Sequence, residues 1–181
     1  MLSCVTYRPG FVANPNSAFD ELWNTLAWER RGSTPRREYY CNDILVPYVY
    51  GKGAGVREYL PKPWTPALAA IKAAVEAELG CKFEVAFLNG YENARDHLGW
   101  HADDSPEMDD GRPIAIVTLG AEREIWFCPN EDRADISKVL LEHGSLCVMA
   151  PGMQDTHLHR IPKAGFECGP RISITFRGYA G

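Results

Sequence analysis

From Lys82 onward the chain changes to a period of two. Six short runs, KFEVAFLNGY, PIAIVTLG, REIWFC, SKVLLE, SLCVMA and RISITFRG, alternate with turn-forming or charged segments. Period two belongs to strands, whose successive side chains point to opposite faces. So many short strands in succession need partners on both sides, which points to an all-β sandwich or jelly roll. One clear helix precedes them, TPALAAIKAAVEAELG: Thr65 caps it, Pro66 fits its first turn and Gly80 ends it. Leu68, Ile71, Val75 and Leu79 form its apolar stripe, fit to cover one sheet. A shorter helix is expected in PNSAFDELWNTLAW, capped near Asn16 or Ser17 and burying Phe19, Leu22, Trp23 and Leu26. The fold class is therefore mainly β with flanking helices.

The two helical segments are joined by less regular chain. ERRGSTPRREYY reads as a polar segment whose four arginines, Arg30, Arg31, Arg36 and Arg37, form the densest basic run. ILVPYVYGKGAG reads as a strand or extended arm, with Pro47 keeping it out of a regular central strand. With 181 residues, 45% of them apolar, one domain with a sizeable core is expected. A net charge of −5 argues against a surface that clamps nucleic acid everywhere, while leaving room for a local basic patch. No basic-then-apolar leader opens the chain, and no stretch approaches the ~20 apolar residues of a membrane helix. Six dispersed cysteines without a CxxC pair read as reduced thiols in an intracellular protein.

The stretch HLGWHADDSP, His97 to Pro106, holds two histidines and two aspartates, and DTHLHRIP supplies two more histidines later. On a strand, His101 and Asp103 point to the same side and can share one ion. His-x-Asp alone is common by chance. A distant histidine changes its meaning, because two histidines and a carboxylate on one face of a metal make the facial triad of non-haem iron(II) oxygenases. His157 and His159 are both candidates for the third ligand. In RISITFR one face carries Arg171, Ser173, Thr175 and Arg177 and the other Ile172, Ile174 and Phe176. Two inward arginines about 20 Å apart along the strand can leave a gap for a short dicarboxylate, which guanidinium pairs in forked fashion.

His-x-Asp, a later His and R-x-S-x-T-F-R, in this order, resemble the AlkB family of Fe(II)/2-oxoglutarate dioxygenases. FLNGY resembles its N-x-Y strand, and HLGWHADD…PIAIVTLGAEREIWF its H-x-D strand and those that follow. HGSLCVM, HRIPK with PRISITFR, and LPKPWTP ahead of the helix extend the match over Pro35 to Tyr179. The resemblance implies a double-stranded β-helix (jelly roll): one dioxygenase domain over residues 1–181, with residues 1–60 forming an N-terminal helix and substrate-lid region. It implies Fe(II), 2-oxoglutarate and O2, with His101, Asp103 and His159 as iron ligands. His159 is preferred because it directly precedes Arg160-Ile161-Pro162. By the same resemblance Arg171, helped by Tyr91 and Ser173, pairs the far carboxylate of 2-oxoglutarate, and Arg177 and Asn89 serve its iron-proximal end.

The implied activity is oxidative demethylation of bases such as 1-methyladenine and 3-methylcytosine in DNA or RNA, releasing formaldehyde, succinate and CO2. Tyr40 and Tyr48 are the expected base or backbone contacts, Asp104 an acceptor for an exocyclic amine, and Arg36 a phosphate contact. The short N-terminus and acidic chain point to alkylated single strands as partners, with no membrane and no obligate protein partner. The expected location is cytoplasmic, or nuclear in a eukaryote. Two alternatives stand beside this reading: a dioxygenase acting on a protein side chain, small molecule or modified base, and an inactive nucleic-acid-binding module.

Overall fold

The computed structural model describes residues 2–50 and 55–181. In chain order its strands are β1 (Val5–Arg8), β2 (Arg37–Asn42), β3 (Tyr48–Tyr50), β4 (Arg57–Tyr59), β5 (Val85–Tyr91) and β6 (Leu98–His101). They continue as β7 (Ile114–Gly120), β8 (Arg123–Pro129), β9 (Ser137–Leu141), β10 (Leu146–Met149), β11 (His157–Ile161) and β12 (Arg171–Arg177). The helices are α1 (Pro15–Thr25), α2 (Pro66–Leu79) and the single turn α3 (Met153–Thr156).

Two antiparallel sheets form the body. The larger runs β1-β10-β7-β12-β5-β2 and the smaller β6-β11-β8-β9, with β3 and β4 paired in a separate hairpin. This is the expected double-stranded β-helix. The helices cover the outer face of the large sheet, where Leu22, Leu68, Ile71 and Val75 pack on Leu88, Val117, Ile172, Ile174 and Phe176. A second core fills the space between the sheets, from Ile116, Cys147 and Met149 across to Ile125, Phe127, Leu141 and Ile161. Apolar area removed from water on both faces of the large sheet is the main force holding this arrangement.

α2 forms as its sequence dictates. The Thr65 side chain accepts from the Leu68 amide, Pro66 opens the first turn and Gly80 ends it at φ +66°. α1 begins earlier than expected. Its N-cap is Asn14 with Pro15 following, so Asn16 and Ser17 lie inside the helix and do not cap it. Asn16 instead accepts from His143 Nε2 at 2.8 Å. Leu22 and Leu26 are buried as expected, whereas Phe19 and Trp23 only lean on the core.

The polar segment contains a strand. Arg37–Asn42 pairs with β5 as β2, buried almost throughout. Residues 1–60 therefore do more than form a helix and a lid, since β1 and β2 are the two edges of the large sheet. The arm after Pro47 forms β3, which pairs with β4; its continuation over 51–54 lies outside the described residues. Gly120, at the end of β7, has φ +89°, and a Cβ there would come within 2.4 Å of the Pro170 carbonyl oxygen. Only glycine lets the chain turn so close to the start of β12.

Candidate active site

β12 lies between β5 and β7, and its register decides the site. Arg171, Ser173, Thr175 and Arg177 sit opposite Tyr91, Asn89, Phe87 and Val85 of β5. Because Ile172, Ile174 and Phe176 belong to the core under the helices, the polar set faces the space between the sheets. On the smaller sheet, β11 pairs with β6 so that His159 stands directly opposite His101. Two histidines from separate strands thus become neighbours, with ring centroids 4.1 Å apart. Asp103 follows two residues after His101. Its carboxylate oxygens are 3.5 Å from His101 Nε2 and 3.6 Å from His159 Nε2. The three donor atoms lie within 4.8 Å of one another. Of the two candidate histidines, His159 joins this group, while His157 bonds Thr156 Oγ1 at the far end of β11.

Each member is held by its surroundings. His101 Nδ1 is 2.8 Å from the Gly99 carbonyl, which makes Nδ1 the protonated nitrogen and leaves the Nε2 lone pair toward the group. Burial, together with the nearby His159, pushes the His101 imidazole down to about 4, so it is neutral near pH 7 and able to ligate. For Asp103, burial alone would raise the carboxyl. The adjacent His159 and His101 imidazoles and the Arg177 guanidinium outweigh that and hold it well below the carboxylate range. The Asp103 main chain is pinned at both ends: its amide donates to Gln154 Oε1 at 2.9 Å and its carbonyl accepts from Arg177.

Arg171 is fully buried, and among the described residues no carboxylate pairs with it. One guanidinium nitrogen donates to Thr118 Oγ1 at 2.9 Å, and the group lies 5.2 Å from the centroid of the Tyr91 ring. Its Nε and Nη1 make no hydrogen bond. Burial brings this guanidinium down to about 10, still charged at neutral pH. A buried cation with two idle donors is costly on its own and fits a guest that brings a carboxylate. Arg177 also carries an unpartnered buried Nε. Two histidines with one carboxylate suit iron(II) with positions left open, and the idle guanidinium donors suit a dicarboxylate co-substrate, so the residues present fit both groups.

His101, Asp103, His159 and Arg177 line a cavity of about 810 Å3, counting its open mouth, together with Tyr48, Tyr50, Tyr59, Phe87, Asn89, Tyr91, Arg36 and Glu38. Arg171 lies outside this lining, against the Tyr91 ring that forms part of it. The four residues expected to contact substrate lie at different places relative to this cavity. Tyr40 is fully buried behind Tyr48 and Phe87, its hydroxyl tied to the Val46 carbonyl and Asn42, and it does not line the cavity. Asp104 is exposed and outside the cavity wall. Arg36 is turned inward rather than toward a phosphate: Nε donates to Asn89 Oδ1 at 2.9 Å and the group lies 3.7 Å from Glu38. Tyr48 does line the cavity, with its hydroxyl 2.6 Å from Ser105 Oγ, and burial pushes that hydroxyl up to about 12.

The basic run is neutralised locally. Arg30 pairs with Asp96 and Glu92, Arg31 with Glu29, and Arg37 with Glu92. Residues that sequence reasoning passed over are Glu38, Tyr59 and Gln154. Glu38 lies within β2 and Arg36 in the bend just before it, and both line the cavity. Tyr59 and Gln154 carry no local signal, because long-range pairing brings them in.

Comparison with known proteins agrees with this geometry. A model of the 2OG-Fe(II) oxygenase superfamily matches residues 23–177, and the chain belongs to that superfamily. Alpha-ketoglutarate-dependent dioxygenase alkB homolog 3 of Bos taurus is 31% identical over 97% of this chain and 66% of its own length. DNA oxidative demethylase ALKBH2 of Homo sapiens is 32% identical over 80% of this chain and 57% of its own length. Within the superfamily the chain is a member of the AlkB family. It spans about three fifths of the length of the curated relatives it matches. A solved structure titled "The structure of OsALKBH1" shares the fold, with a TM-score of 0.70 and 15% identity over 99% of this chain and 98% of that one. The family's cofactor and co-substrates are Fe(II), 2-oxoglutarate and O2. No helix among the described residues is long and apolar enough to cross a membrane.

Proposed function

We propose that this chain is one Fe(II)/2-oxoglutarate-dependent dioxygenase domain that demethylates N-alkylated bases, such as 1-methyladenine and 3-methylcytosine, in single-stranded DNA or RNA. The observation that carries the reading is one cavity that joins a His101–Asp103–His159 donor set to a tyrosine-walled mouth. The names of the relatives, which include DNA oxidative demethylase, support it.

In this reading His101, Asp103 and His159 hold iron, with Gly99 and Gln154 fixing the first two. Arg171 receives the far carboxylate of 2-oxoglutarate on its idle Nε and Nη1, beside Tyr91 and Ser173. Arg177 and Asn89 serve the other end. When bound, iron with 2-oxoglutarate and dioxygen supplies the oxidation that yields succinate, CO2 and a hydroxylated methyl group. The hydroxymethyl group leaves as formaldehyde, and the ring nitrogen keeps the electrons of the broken N–C bond. Tyr48, Tyr50 and Tyr59 wall the mouth, giving a flipped base flat apolar surface. Apolar residues Ile116, Ile125 and Ile161 line the cavity and keep water from the reacting centre.

A net charge of −5 and arginines already paired with carboxylates leave a weak grip on a phosphate backbone. An intracellular location, cytoplasmic or nuclear, goes with such a substrate and with six free cysteines. Formaldehyde release from a short single strand with one 1-methyladenine is expected to be about tenfold faster than from the same strand annealed to its complement, since pairing adds an unstacking cost. Equal rates contradict the single-strand assignment.

A further inference from the structure

Glu38 is the one acidic side chain in the cavity wall besides Asp103, among the described residues. It is 2% exposed, on an edge strand, opposite Asn89 across the β2–β5 pair. Its two oxygens have different surroundings. Oε2 accepts from the Tyr59 hydroxyl at 2.8 Å, with the Arg36 guanidinium at 3.7 Å. Oε1 is buried with no hydrogen-bond partner, its nearest cation being Arg57 at 3.9 Å. A buried carboxylate oxygen without a donor is costly, and native structures leave few such atoms. Glu38 is part of the cavity lining, so an N–H group of a bound molecule that reaches its carboxylate can supply the missing donor.

We propose that Glu38 is a specificity-determining residue that accepts a hydrogen bond through Oε1 from an N–H donor of the bound base. The inference rests on the demethylase reading above and takes it further, to the chemistry of the base edge. A carboxylate acceptor favours bases with an exocyclic amine, and its charge favours the cationic form that N-methylation gives such rings. It disfavours methylated bases that present a carbonyl at the same position, because two acceptors then face each other in a place without water. Glu38 takes the part that the sequence reading gave to Asp104, which is exposed and outside the wall. Tyr59 holds the carboxylate in place, and burial pushes its hydroxyl up to about 12, so it stays a donor.

The test compares single strands of one sequence carrying either 3-methylcytosine, which has an exocyclic amine, or 3-methylthymine, which has a carbonyl there. Wild-type protein with Fe(II) and 2-oxoglutarate is expected to demethylate the amine-bearing base at least about 10-fold more efficiently by kcat/KM. Glu38→Gln preserves an acceptor for Tyr59 and removes the charge. It is expected to lower kcat/KM for the amine-bearing base by roughly 10- to 100-fold while leaving the carbonyl-bearing base unchanged or improved. An equal fall for both bases means a structural role and overturns the proposal, as does no change for either. The wild-type ratio stands independently of how the variant folds, and a ratio near one overturns the proposal while leaving the demethylase reading intact. Succinate formation with no methyl loss from either strand overturns the demethylase reading and this inference with it.

Discussion

Replacing His101 or Asp103 by alanine is expected to abolish turnover, to below about one-thousandth of wild type, without unfolding the protein. Each supplies a donor atom that the remaining pair cannot replace, since the three lie within 4.8 Å of one another and no other His, Cys, Asp or Glu joins them among the described residues. The fold survives for a reason visible in the hydrogen bonds. The contacts that anchor this segment run to the Asp103 main chain, from Gln154 on one side and Arg177 on the other, so Asp103→Ala retains both. Neither side chain belongs to an apolar core cluster. Circular dichroism and thermal melting of the two variants are expected to match wild type within about 1 kcal/mol. Loss of the cooperative melt would contradict the assigned division between metal donor and scaffold.

Arg171→Met is expected to raise the KM for 2-oxoglutarate by about 100-fold, the weight of a charge-assisted pair lost from a buried site. Iron affinity measured without 2-oxoglutarate is expected to change little. The same variant has a second, less intuitive outcome. In the ligand-free protein Arg171 is a buried guanidinium whose one hydrogen bond goes to Thr118 and whose Nε and Nη1 are idle. Methionine of similar length removes an unpaired buried charge, so the ligand-free melting temperature should hold or rise. In wild type, 2-oxoglutarate should raise the melting temperature, and in the variant that increment should vanish. Equal losses of iron and 2-oxoglutarate affinity would count against this role.

How far the sequence could be read follows from which signals are local. The period-two runs became strands of two sheets, and α2 has the cap, proline and glycine that its sequence displays. The alternation in RISITFR sorted inward from outward residues correctly, because one face packs on helices and the other on the cavity. β2 was missed for the opposite reason: REYYCN is buried on both faces, so no alternation marks it as a strand. That one omission hid Glu38, which lines the cavity beside Arg36. Choosing between His157 and His159 was likewise beyond periodicity, since residues two apart share a face. The β6–β11 register separates them, placing His159 opposite His101. Tyr40 and Tyr48 look alike in the sequence, yet one sits behind the wall and the other in it, a distinction made by β3 folding across the cavity.

The most direct measurement is mass spectrometry of a short single strand carrying one 1-methyladenine, incubated with the protein, Fe(II), ascorbate and 2-oxoglutarate, with succinate followed in parallel. The account predicts loss of one methyl group from the strand, matched by succinate, with wild type and not with His101→Ala. Succinate formed while the strand keeps its methyl group would contradict the nucleobase assignment, and no succinate under any condition would contradict the dioxygenase site itself.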